Sequence, residues 1–146
     1  MSRPEIEKTK LAAGVQPTVA EQELLKDITG TVLYLNGGVG VLAEYLSKKG
    51  CDVTLTDSDR LSFSYRRSIL EDSKVKCWNT NSSDIKLSKP CFDYVLIRSM
   101  GDLGLAHILA KKGIINLLNM EIINVINTKP VSNKDTKVDG DIKANS

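Results

Sequence analysis

The feature that most constrains this chain is the stretch from Val32 to Asp59, VLYLNGGVGVLAEYLSKKGCDVTLTDSD. A β-favouring apolar run, TVLYLN, meets Gly37, Gly38 and Gly40. Beyond them Val41, Leu42, Tyr45 and Leu46 recur at helical spacing, and the segment closes on two lysines and Gly50. Three of the chain's ten glycines thus lie within four positions, at the point where strand periodicity gives way to helix periodicity. A second strand, CDVTLT, follows, and Asp57 comes directly after it. Strand, tight turn, helix and strand in this order are the unit of a parallel sheet with right-handed crossovers.

The alternation continues along the chain. DRLSFSYRRSIL is predicted to be a helix capped by Ser58 or Asp59, VKCW a short third strand, and FDYVLIR a buried fourth strand. GLAHILAKK is predicted to be a helix, and GIINLL, after Gly113, a fifth strand. MEIINVIN, within residues 119–128, fits either a sixth strand or a short terminal helix. A leading helix is predicted from Val19, with Thr18 as its cap, Val19, Leu24, Leu25 and Ile28 on its apolar face, and Gly30 closing it. Residues 1–18 are polar and carry two prolines, which suggests a loosely docked arm. Residues 129–146 hold almost no large apolar side chain and are expected to be a disordered tail. The expected fold is therefore one α/β domain over residues 19–128, a three-layer sandwich around a mostly parallel Rossmann-like sheet of order 3-2-1-4-5.

Composition narrows the functions, leaving nucleic acid a possible partner that the charge does not indicate. The 20 basic and 18 acidic side chains leave a net charge of +2, too balanced for a field that attracts nucleic acid, and an aromatic share of 5% offers few stacking platforms for bases. No apolar stretch is long enough to span a membrane. Cys51, Cys77 and Cys91 are odd in number and widely spaced, so they read as reduced thiols of a cytoplasmic protein rather than as a disulfide framework or a metal site. The lone His107 shares a predicted helix with Leu105, Ile108 and Leu109 and has no ligand-spaced Cys or acid, which reads as structural. Tyr65, Arg66 and Arg67 fit a solvated helix face.

The glycine turn carries the chemistry. A turn without side chains lets a ligand approach the backbone, and the acid at the end of the neighbouring strand, Asp57, can accept hydrogen bonds from both hydroxyls of a ribose. Gly38-x-Gly40-x-x-Ala43 satisfies the G-x-G-x-x-G/A dinucleotide fingerprint, with Asp57 following Gly40 by 17 positions. A nicotinamide oxidoreductase fragment is one reading of that match.

Over a longer span, about Leu24 to Asn119, the chain resembles the class I S-adenosylmethionine-dependent methyltransferases. Their cofactor segment is commonly hydrophobic-acid-hydrophobic-G-x-G-x-G, followed by an amphipathic helix and an acid-ended second strand. The resemblance implies a site for S-adenosylmethionine made by Asn36, Gly37, Gly38 and Gly40 of the turn, Asp57 and Ser58 after the second strand, Asn81 near the adenine, and Arg98 at the end of the fourth strand. It also implies methyl transfer to an unidentified acceptor. Two positions depart from the motif: Tyr34 replaces its acid, and Asn36 its first glycine. Asn tolerates left-handed backbone angles, so the turn can survive. Losing the acid removes a negative group from the pocket for a cationic methionine moiety. A catalytically silent domain, acting as an interaction or regulatory subunit in a homo- or hetero-oligomer, is therefore the alternative expectation. Tyr34 itself reads as core. Pro90-Cys91 resembles the nucleophile pair of cytosine-C5 methyltransferases but precedes the fourth strand instead of following it, which argues against that chemistry. No Asn-Pro-Pro-Tyr or Asp-Pro-Pro-Tyr follows FDYVLI, and the catalytic residues and acceptor stay unassigned.

Overall fold

The computed structural model describes residues 5–6, 9, 16–37, 40–59 and 73–125. Its frame is a six-stranded sheet. The strands are β1 (Thr31–Tyr34), β2 (Asp52–Thr56), β3 (Lys76–Trp78), β4 (Phe92–Ile97), β5 (Ala110–Asn116) and β6 (Glu121–Asn124). Their order is β3-β2-β1-β4-β5-β6, with β1 to β5 parallel and β6 antiparallel to β5. Among the described residues, the helices that flank the sheet are α1 (Val19–Leu25), α2 (Val41–Lys48) and α3 (Leu103–Leu109). The expected order holds for the first five strands, and the segment open to two readings forms the sixth.

Strand alternation sorts the core into two layers. Val32 and Tyr34 point to the side covered by α1 and α2, packing with Leu25, Leu42, Ala43 and Leu46. Leu33 and Leu35 point to the other side, where Ala106 and Leu109 of α3 cover them. All of these side chains are at most 5% exposed, so each large aliphatic one contributes about 1.5–3 kcal/mol of burial free energy. Helices on both faces explain why the central strands read as unbroken apolar runs.

Thr18 caps α1 through a capping box: its hydroxyl accepts from the Glu21 N–H at 3.1 Å, and the Glu21 carboxylate accepts from the Thr18 N–H at 2.9 Å. Val19, expected on the apolar face, is 83% exposed, whereas Leu25 and Ile28 are buried and partly buried Leu24 packs against the same cluster. The predicted helix GLAHILAKK stops at Leu109. Ala110, Lys111 and Lys112 belong to β5, since Ala110 pairs with Phe92 and the Leu109 carbonyl accepts from the Cys91 N–H, so sheet pairing overrides the helical pattern there. In the expected N-terminal arm, Glu5, Ile6 and Thr9 have helical backbone, and the Thr9 hydroxyl donates to the Glu5 carbonyl at 3.0 Å. The predicted helix over residues 60–70, the cluster Tyr65-Arg66-Arg67 and the tail over residues 129–146 lie outside the described residues.

Candidate functional site

Parallel pairing brings the C-terminal ends of β1, β2 and β4 to one edge of the sheet, and the turn after β1 spans that edge. The Leu35 N–H donates to Leu96 of β4 at 3.0 Å, whereas two residues later the Gly37 N–H donates to Thr56 of β2 at 3.0 Å. The chain can cross from one neighbour to the other because Asn36 takes the left-handed conformation, with φ 54°, as expected of Asn at this position.

Gly37 is a packing requirement. A Cβ there would lie 2.0 Å from Leu55 Cδ1 and 2.9 Å from the Tyr34 ring, so the turn lies directly on that ring. Gly40, with φ 111°, supplies the second left-handed step and serves as the N-cap of α2. Gly38 lies outside the described residues.

Tyr34 is 1% exposed and packs among Leu42, Leu46 and Leu55, which agrees with its core reading. Its hydroxyl nevertheless reaches the edge, where Arg98 Nη1 donates to it at 3.0 Å. A guanidinium thus stands beside the position that carries an acid in the methyltransferase motif.

Asp57 is 6% exposed and adjoins the turn, since the Thr56 carbonyl that receives Gly37 belongs to the peptide bond before it. Its Oδ1 accepts from the Asp59 N–H at 2.8 Å, and its own N–H donates to Trp78 at 3.1 Å. These bonds fix the carboxylate at the end of β2, with Ser58 exposed next to it. Asn81 lies beyond β3, where its Oδ1 accepts from the Ser83 N–H at 3.1 Å and the Ser83 hydroxyl at 3.2 Å, capping the 3-10 turn Ser82–Asp84.

The sequence reading missed Asp102, which is 7% exposed. Its Oδ2 accepts from Asn36 Nδ2 at 2.8 Å and its Oδ1 from the Ser82 hydroxyl at 2.7 Å. One carboxylate therefore ties together the connections after β1, β3 and β4. Strands β3 and β4 stand three places apart in the sheet, about 14 Å at the usual strand spacing, so the residues after β3 must lean across the C-terminal edge to make this contact. Partly buried Ile85 packs in the layer under α3, which places that crossing on the α3 face.

Other candidates are accounted for without chemistry. His107 is exposed, and no group of three metal-ligating side chains occurs among the described residues. Cys51 is buried, its Sγ donates to the Ile28 carbonyl at 3.5 Å, and burial pushes its thiol pKa up. No helix among the described residues is long and apolar enough to cross a membrane.

No protein-family model and no curated protein matches the sequence. Solved structures do match the fold. One is a TehB-like S-adenosylmethionine-dependent methyltransferase from Corynebacterium glutamicum, with 24% identity, TM-score 0.51, and coverage of 73% of this chain and 56% of that one. Another is the glycopeptide N-methyltransferase MtfA, with 19% identity, TM-score 0.56, and coverage of 72% and 58%. A third is a Haemonchus contortus phosphoethanolamine N-methyltransferase in complex with phosphoethanolamine and S-adenosylhomocysteine, with 11% identity, TM-score 0.56, and coverage of 66% and 24%. The chain thus spans little more than half of the first two structures and about a quarter of the third.

Proposed function

We propose, from the fold this chain shares with class I S-adenosylmethionine-dependent methyltransferases, that the C-terminal edge of β1, β2 and β4 binds S-adenosylmethionine and that the protein positions its methyl group for transfer to an acceptor. The observation that carries this reading is the adjacency of the bend at Asn36, with its left-handed backbone, to the end of β2, where the nearly buried Asp57 follows. Asp57 would accept from the ribose hydroxyls, Ser58 and Asn81 would border the adenosine, and Asn36, Gly37, Gly38, Gly40 and Arg98 would border the methionine end. When bound, the group supplies an electrophilic methyl; the protein's part is orientation and exclusion of water, which needs no dedicated base.

A silent, partner-binding domain is the second reading. It is favoured by Arg98 on the Tyr34 hydroxyl, a cation where the motif has an acid.

Calorimetric titration tests the first reading. Asp57→Ala is expected to weaken S-adenosylmethionine binding by about tenfold or more, the loss of one charge-assisted hydrogen bond of about 1.5 kcal/mol. Unchanged affinity would remove Asp57 from the site.

A further inference from the structure

Asp102 has a role that the structural needs of its surroundings do not explain. It is the last residue of a 3-10 turn, Met100–Asp102, that runs into α3 and is capped by the Ser99 hydroxyl, so its side chain has no capping duty. The carboxylate turns instead to Asn36 and Ser82. Both donors are neutral. Among the described residues no Lys, Arg or His pairs with Asp102, and Arg98, four residues earlier, directs Nη1 to Tyr34. A buried carboxylate with no cation is costly to keep, and a neutral Asn could bridge an amide and a hydroxyl equally well. What an Asn could not supply is negative charge.

That charge sits at the C-terminal edge of the sheet, beside the bend after β1. Asn36, which holds one carboxylate oxygen, forms the bend between β1 and α2, and Ser82, which holds the other, follows Asn81. Tyr34 leaves the same bend without the acid of the methyltransferase motif.

We propose that Asp102 is a specificity-determining residue of this edge, the carboxylate that recognises the cationic end of an adenosyl ligand in place of the acid missing from position 34. The inference rests on the adenosyl site proposed above. The charge has moved from a strand to the connection after β4, and Asn36 is the residue that holds it toward the turn. The Asn at the first motif position and the Tyr at the acid position are then parts of one rearrangement.

The test compares S-adenosylmethionine with 5′-methylthioadenosine, which keeps the adenosine and lacks the charged methionine tail. In Asp102→Asn, binding of S-adenosylmethionine should fall by about tenfold, and that of methylthioadenosine should stay within about twofold of wild type. Ser82→Ala, which keeps the carboxylate, should retain the preference for the charged ligand. Equal losses for both ligands, or none for either, would overturn the inference and leave the adenosyl site standing. If Asp102→Asn does not fold, wild type decides: a preference of about tenfold for S-adenosylmethionine supports the assignment, and equal affinities overturn it. Wild-type protein that binds neither ligand would overturn the adenosyl site itself, and this inference with it.

Discussion

The two edges of the sheet each hold an aspartate between β1 and β4, and they hold it differently. At the N-terminal edge, Asp93 accepts from the Thr31 N–H at 3.0 Å, and its own N–H donates to the Thr31 hydroxyl at 2.9 Å. The backbone bond from Thr31 holds its carboxyl below the ordinary value of 3.8, burial opposes this, and Lys112 and Lys111 assist it. At the C-terminal edge, Asp102 is more buried, meets only side-chain donors and has no cation among the described residues. The first arrangement stabilises the ionised acid for its own sake. The second holds a carboxylate between two neutral side-chain donors, the arrangement from which its recognition role is inferred.

Substitutions at the two edges should separate stability from binding. The largest loss is expected from Gly30→Ala. Gly30 has φ +87°, and a Cβ there would lie 2.1 Å from Asp93 Oδ2, so backbone strain adds to the displacement of the carboxylate. Denaturant unfolding should show a loss of about 2–3 kcal/mol, with S-adenosylmethionine affinity unchanged in the folded protein. An affinity loss would mean that the edges are coupled. Gly37→Ala should cost about 1–3 kcal/mol by overpacking Leu55 and the Tyr34 ring, and should also weaken the ligand because the turn must shift. Full affinity in that variant would separate the turn from the site.

Asp93→Asn gives the smallest effect, about 1 kcal/mol at neutral pH, together with a change in acid response. Because the folded protein lowers this carboxyl's pKa, its stabilisation is complete above the ordinary value of 3.8 and is lost as pH falls through the folded value. The variant should lack that portion of the acid-induced loss. An identical acid limb in both proteins would show that Asp93 does not brace the edge.

Which parts were legible in the sequence follows the same division. The central strands could be read because layers on both faces leave no polar alternation, and the turn could be read because glycines and an Asn mark left-handed backbone. The place of Asp57 at this edge could be read because it directly follows its strand. Asp102 could not: it lies 66 residues from Asn36 and 20 from Ser82, in a segment whose periodicity carries no signal, and only the leaning of the β3 connection across the edge brings the three together. The end of α3 was misread because Ala110, Lys111 and Lys112 fit a helix locally and pair as a strand only once β4 lies beside them. Val19 was misread because helical spacing does not report at which turn a helix's contact with the core begins.

The central claim is that the bend at Asn36 and the carboxylate of Asp57 form one adenosyl-binding site, and calorimetry on the wild-type chain tests it most directly. Titrations with S-adenosylmethionine, S-adenosylhomocysteine and NAD should give saturable heat for the first two and none for NAD. Heat with NAD alone, or with none of the three, would contradict the account.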